Sequence, residues 1–253
     1  MEVLKQEKTY LLDSYLFSLN TKITQVKQDE SDPNLLNILF EKTIFHPQGG
    51  GQPSDNGFIE VNGEQIPVKK LIYIREQELI FHQVEKKDCI KENQEVRMQI
   101  DENFRRQNVL LHSGGHLIDV AVNRLGYEWE AGKGYHFIDG PYVEYTVNKW
   151  EEGSQEKLKD QINQELEKIL TEGSPENPSI CKIYEYDEAK KEISNFPTYL
   201  PEGINIRWVK LNKLDPGCPC GGTHVKNVSD FKKVVVNKIQ KKGKKLKVSY
   251  TVQ

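Results

Sequence analysis

Two short motifs more than a hundred residues apart constrain the fold more than any other feature of this chain. His112 and His116 are four residues apart within 101–124, where apolar residues (Phe104, Val109, Leu110, Leu111, Leu117, Ile118, Val120, Ala121) recur at the spacing of a largely buried helix. That spacing puts both imidazoles on one helical face, about one turn apart. Cys220 and His224 repeat it in the turn-rich segment Cys-Pro-Cys-Gly-Gly-Thr-His. Three imidazoles and a thiolate are the mixed nitrogen and sulfur donors that zinc prefers. Either motif alone is common by chance, but together they hold three of the six histidines in the chain. A chain that uses both must fold residues 220–224 back onto the helix around a single ion. His112, His116, Cys220 and His224 are therefore the expected ligands of one Zn2+ per chain, with Cys218 as a substitute ranked below Cys220.

The helix carries two further signals. Gly114 and Gly115 lie between the histidines, and each glycine costs ~1 kcal/mol relative to alanine in a helix interior. The close approach of a ligand or another backbone would justify that cost. Ser113 occupies the position where zinc proteases of the HExxH kind carry a glutamate as general base, so proteolysis by that route is excluded.

The rest of the chain reads as two parts. Up to about residue 97, short apolar segments (Leu35–Phe40, Gly57–Val61, Pro67–Ile74, Glu78–Val84) alternate with turn residues, Asn56-Gly57 and Asn62-Gly63 among them. Such spacing favours a small barrel or a sandwich. Beyond it, helices are expected from Asp101 to about Arg124, from about Glu151 to Leu170 and near Asp187–Ile193. Asp101 and Gly126 would cap the first of these. Strands are expected at Gly140–Val147, Ile180–Tyr186 and Ile204–Val209, with a closing hairpin that turns at Lys242-Gly243. Helices and strands do not alternate regularly, which points to α+β. At 36% hydrophobic and 29% charged residues, with no stretch of ~18 consecutive apolar residues and no secretory n-region, a cytoplasmic chain is expected. Four cysteines in so long a chain suit a reducing compartment. The net charge of -3 hides an asymmetry: Val225 to Gln253 holds nine lysines against Asp230 alone. A basic end on an acidic body suits a polyanion such as nucleic acid.

Residues 45–57, Phe-His-Pro-Gln-Gly-Gly-Gly-Gln-Pro-Ser-Asp-Asn-Gly, form a glycine-rich segment that can approach a substrate closely or make an anion nest. It lacks the Gly-Lys-Ser/Thr ending of a Walker loop.

Taken together, these segments resemble a known family. HSGGH (112–116) and CGGTHV (220–225) resemble the two metal motifs of the editing domain of alanyl-tRNA synthetase and of its free-standing relatives, the AlaX proteins. FHPQGGGQPSDNG (45–57) looks like the glycine-rich motif of the longer AlaX proteins, and AGKGYHFIDGPYVEY (131–145) and the closing hairpin are also similar to family segments. The resemblance implies an α+β chain: an N-terminal small β-barrel of the translation-protein type over 1–97, then a zinc-binding α+β editing domain of the tRNA-synthetase type over 98–253. It implies a deacylase acting in trans on mischarged tRNA(Ala) that carries serine or glycine, with no membrane and no stable protein partner. Departures lie at Ser113, where threonine is usual, and at Gly114-Gly115, in place of the commoner alanine-containing pair. On this reading Ser113, Gln52 and Thr223 are candidate catalytic side chains. Gln48, Gly49, Gly50, Gly51, Lys133 and His136 are candidate substrate contacts. Zinc would activate water or hold the substrate's amino group. A non-catalytic zinc module that binds tRNA or a synthetase is the alternative, and a zinc hydrolase of small molecules a third.

Overall fold

Strand β1 (Ser18–Gln28) is long enough to serve two neighbours, and that is how the first sheet closes. Its residues 18–22 pair with β6 (Glu95–Ile100), and its residues 23–28 pair with β2 (Leu35–Phe40). The equally long β4 (Glu64–Ile74) does the same, pairing first with β3 (Gly57–Val61) and then with β5 (Leu79–Glu85). The result is a closed, all-antiparallel barrel in the order β1-β2-β5-β4-β3-β6. Register shifts between Ile23 and Gln25 and between Val68 and Lys70 fall where each long strand changes partner, the bending role of β-bulges. Asn62 and Gly63, both at positive φ, make the two-residue turn that joins β3 to β4. Inward positions such as Ile23, Ile38, Phe40, Ile59, Val96 and Met98 fill the interior. The structure, a computed structural model, describes residues 5–148, 154–174, 176–194, 196–213 and 215–253.

Of the barrel strands, β1 and β6 were not expected. Their sequences, SLNTKITQVKQ and EVRMQI, carry few apolar residues, because only one face of each turns inward. A buried imidazole sits in the barrel core. His82 on β5 is fully buried, lies edge-on to Phe40 and Phe45, and has its Nε2 2.8 Å from Thr43 Oγ1. Burial lowers its pKa to about 3, so the folded barrel holds it neutral while the unfolded chain protonates near 6.5. Stability should therefore fall as pH drops from about 6.5 toward 3, by roughly 5 kcal/mol in all. Urea unfolding of the wild type and of His82→Leu at several pH values checks this: the variant should lose that part of the pH slope.

Helix α1 (Glu102–Arg124) follows the barrel. Asp101 Oδ1 accepts the Phe104 N–H at 3.0 Å, the expected N-cap. At the other end Gly126 adopts φ 81°, and the Tyr127 N–H returns to the Val122 carbonyl, a Schellman-type closure. The chain divides into two compact units, Met1–Asn108 and Val109–Gln253, with the boundary inside this helix.

In the second unit β7 (Glu130–Tyr135), β8 (Tyr142–Thr146), β11 (Val234–Lys242) and β12 (Lys245–Val252) form an antiparallel sheet in the order β11-β12-β8-β7. Helix α2 (Gln155–Thr171) buries Leu158, Ile162, Leu166 and Ile169, one stripe at helical spacing. Asn163 on α2 bonds the Val236 carbonyl and N–H, meeting the backbone groups left open by a register shift in β11. The expected start of this helix at Glu151, and the expected break at Pro175, lie outside the described residues. A smaller sheet pairs β9 (Ile180–Tyr184) with β10 (Ile206–Lys210), and Cys218–Pro219 adds to β10. Helix α3 (Tyr186–Glu192) packs Ala189 against Ile206 and Trp208. No helix among the described residues is long and apolar enough to cross a membrane.

Candidate metal centre

The four side chains singled out from the sequence meet. One ligand-capable atom from each of His112, His116, Cys220 and His224 lies within 4.8 Å of the others. Cys220 Sγ is 3.4 Å from His112 Nε2 and 3.3 Å from His224 Nε2. Around a tetrahedral zinc, with Zn–S ~2.3 Å and Zn–N ~2.0 Å, a sulfur and a nitrogen ligand stand roughly 3.6 Å apart, close to what is found. Burial lowers the pKa of His116 to about 3 and raises that of Cys220. The pocket thus offers a neutral imidazole at His116, and a bound dication would compensate the thiolate that burial otherwise disfavours. The donor chemistry and the spacing both fit a zinc ion.

Neighbouring groups hold the cluster in place. Ser113, fully buried, accepts the Val225 N–H at 3.0 Å and lies 3.3 Å from His224 Nδ1. With Nε2 turned to Cys220, Nδ1 carries the proton and donates to Ser113, which sets both tautomer and ring orientation. Ser113→Ala is expected to weaken zinc binding about 10- to 100-fold with the fold retained, measurable by competition with a chromophoric chelator. Arg207 on β10 donates to the carbonyls of Cys220 and Gly222 at 2.7 and 2.8 Å, clamping the turn between the two ligands. At Gly222 a Cβ would stand 2.1 Å from the His112 ring, so only glycine lets the turn pass the imidazole. Cys218 Sγ is 3.3 Å from His116 Nδ1, beside the cluster.

The two helix glycines have a related explanation. A Cβ on Gly115 would lie 2.4 Å from the His136 ring, and one on Gly114 would lie 2.6 Å from Val252 and 3.2 Å from the Tyr250 ring. What approaches the helix is neither a ligand nor a backbone but side chains of β12 and the His136 imidazole. That imidazole stacks on His112 at 4.6 Å and 22°. Its Nδ1 is 2.6 Å from the Tyr250 hydroxyl, which donates to the Leu111 carbonyl at 2.7 Å. The hydroxyl's one proton is thus used, and His136 Nδ1–H donates to it.

The other candidates are dispersed. Thr223 is buried between Gly222 and His224, and Lys133 is exposed on β7. Gln48, Gly49, Gly50, Gly51 and Gln52 belong to the barrel unit, where Gly49 and Gln52 exchange backbone hydrogen bonds. Gln48 is exposed there and Gln52 is fully buried. That segment is anchored by Asp55, which accepts the His46 N–H at 2.6 Å and pairs with the guanidinium of Arg105, both side chains being buried. The sequence reading missed Arg105, Arg207 and Tyr250. For Arg207 a signal existed, a charge set between Ile206 and Trp208, whereas Arg105 lies among polar residues and gave none.

A family model described as tRNA synthetases class II (A) matches residues 6–104, the barrel-bearing part of the chain. Curated relatives extend the match across the metal centre. The chain is 31% identical over 248 residues to the alanyl-tRNA editing protein AlaX-L of Pyrococcus horikoshii, covering 95% of this chain and 56% of that protein. It is 28% identical to AlaX-M of the same organism, covering 88% of this chain and 87% of that protein. It is 27% identical to alanine–tRNA ligase of Thermococcus kodakarensis, covering 86% of this chain and 22% of the ligase. Over most of its length the chain is similar to alanyl-tRNA editing proteins and to part of alanine–tRNA ligase. It spans little more than half the length of AlaX-L.

Proposed function

We infer that this chain is a trans-editing hydrolase that deacylates tRNA(Ala) wrongly charged with serine or glycine, at a zinc site made by His112, His116, Cys220 and His224. Residues 1–97 would form the barrel domain of the translation-protein type and 98–253 the editing domain. One observation carries the reading: these four donors converge to within 4.8 Å in a chain whose relatives are named for alanyl-tRNA editing.

The reaction adds water to the ester carbonyl and releases the ribose oxygen, which takes up a proton. Zinc held by this set would supply a Lewis acid beside the ester or a fixed point for the substrate. Ser113 acts through His224, whose ring it orients. In the metal-bearing unit Thr223 is the candidate for placing water or reading the serine hydroxyl; in the barrel unit Gln52 is proposed for the same role, and Gln48 and Gly49–Gly51 as substrate contacts. A site that hydrogen-bonds a hydroxyl rejects the analogue lacking it far better than an apolar pocket rejects an added one. Lys133, His136 and the exposed lysines of the closing hairpin, among them Lys238, Lys241, Lys242 and Lys244, are proposed to meet the 3′ end and acceptor stem. Such phosphate contacts weaken steeply with salt.

A second reading has its own support. Four protein donors complete a tetrahedron, the mark of a structural zinc site, and would suit a non-catalytic module that binds tRNA or a synthetase. Deacylation of Ser-, Gly- and Ala-tRNA(Ala) by the purified chain, with and without a zinc chelator, decides between them. The editing reading expects seryl ester to be cleaved at least ~100-fold faster than alanyl ester, with loss on chelation. Equal rates on all three refute that specificity, and no cleavage of any by the zinc-loaded protein leaves the binding module.

A further inference from the structure

A cavity of about 190 Å³ adjoins the metal centre without belonging to it. His116 and Cys218 form one side, and Asp119, Tyr127, Trp129 and Tyr145 are among the residues that close the others. Asp119 follows His116 by three residues on α1 and so shares its face of the helix. Its Oδ1 accepts the Tyr145 hydroxyl. Asp215 also borders the cavity, but its carboxylate is committed to the Leu211 and Gly217 N–H groups at 2.7 and 2.8 Å, where it shapes the 211–217 turn. Among the described residues no lysine or arginine lines the cavity. Arg124 and Lys210 act electrostatically on Asp215.

Asp119 is thus a carboxylate in a hollow faced by aromatic rings and served there by a neutral phenol. The rings are themselves ordered: Tyr127 and Trp129 stack at 4.3 Å and 25°, and Trp129 lies 5.7 Å from Tyr145. Carboxylate and aromatic faces together are the chemistry that recognises an alkylammonium, by charge on one side and by ring quadrupoles on the other. A phosphate or a carboxylate would be repelled. Burial holds the Asp119 carboxyl up at about 7, a shift that an arriving cation would reverse.

We propose that this cavity binds a primary ammonium group, the α-amino group of the aminoacyl ester, with Asp119 as its counter-charge and Trp129 and Tyr127 as its aromatic wall. The assignment rests on the editing reading for the identity of the ester and on the cavity alone for its chemistry. Its consequence is orientation: an ammonium held beside His116 fixes the amino-acid end of the substrate next to the metal centre. Asp119 is then a residue that requires a free amino group.

The test uses two hydrolysis-proof adenosine amides with the zinc-loaded full chain. One is 3′-deoxy-3′-(L-serylamino)adenosine, and the other is its counterpart without the amino group, 3′-deoxy-3′-(3-hydroxypropanoylamino)adenosine. Calorimetry should show the wild type binding the amine form about 10- to 100-fold tighter. Asp119→Asn keeps an acceptor for the Tyr145 hydroxyl and should lose that preference while retaining its zinc. Equal binding of the two probes by the wild type, no binding of the amine form, or a preference that survives Asp119→Asn overturns the proposal. The wild-type comparison stands even if the variant fails to fold. A wild type that prefers the amine probe but leaves Ser-tRNA(Ala) intact keeps the cavity and loses the editing reading, whereas cleavage without amine preference does the reverse.

Discussion

Cys220→Ala is expected to lower zinc affinity by at least ~10³-fold and, with it, to remove the ester hydrolysis proposed for this centre. Zinc bound by a full donor set contributes on the order of 10 kcal/mol or more, and the thiolate is the one anionic member of this set. Cys220 touches two of its partners directly, His112 and His224, so its loss opens two edges of the cluster. Metal analysis after dialysis, alongside Ser-tRNA(Ala) turnover, measures both effects. The neighbouring Cys218, 3.3 Å from His116, supplies the control. Cys218→Ala should keep its zinc, and the opposite pattern would exchange the two cysteines' roles.

The second large effect lies in the barrel unit. Asp55→Ala should destabilise that unit by about 3–5 kcal/mol, because it strands a buried guanidinium. Arg105 is fully buried, and each of its three nitrogens has a partner: Nε and Nη2 bond Asp55, Nη1 the Ser14 carbonyl, and Nη2 also that of Ile44. Two of these tie the 45–57 segment to the start of α1, so the glycine-rich turn should loosen as the unit weakens. Replacing both partners together, as Asp55→Leu with Arg105→Met, should cost less than Asp55→Ala, since no charge is left unpaired. Urea denaturation of the three proteins, with hydrogen exchange at residues 45–57, separates these outcomes.

The meeting of His112, His116, Cys220 and His224 was legible because their chemistry is rare and their spacing carries geometry: i and i+4 on a helix, and the same interval in a glycine-rich turn. The caps of α1 were legible for a similar reason, since Asp101 and Gly126 act locally. Two barrel strands were not. In β1 and β6 inward and outward residues alternate in a polar sequence, and the long β1 is set by which neighbours it pairs with rather than by its own composition. Sequence left barrel and sandwich open because closure depends on one strand serving two partners, a relation that no window of residues contains. Gly114 and Gly115 were seen to need a reason. That reason, the His136 and Tyr250 side chains, comes from strands far along the chain.

The centre draws on residues 111–116, 136, 207, 220–224 and 250, so its parts are synthesised far apart in time. During translation the helix bearing two histidines leaves the ribosome a hundred residues ahead of the thiolate that must join it. Closing so long a loop costs roughly 4 kcal/mol of chain entropy before any contact repays it. Metal acquisition should therefore be a late event in maturation, after the second sheet has formed, and a nascent chain arrested before residue 220 should not yet retain the ion.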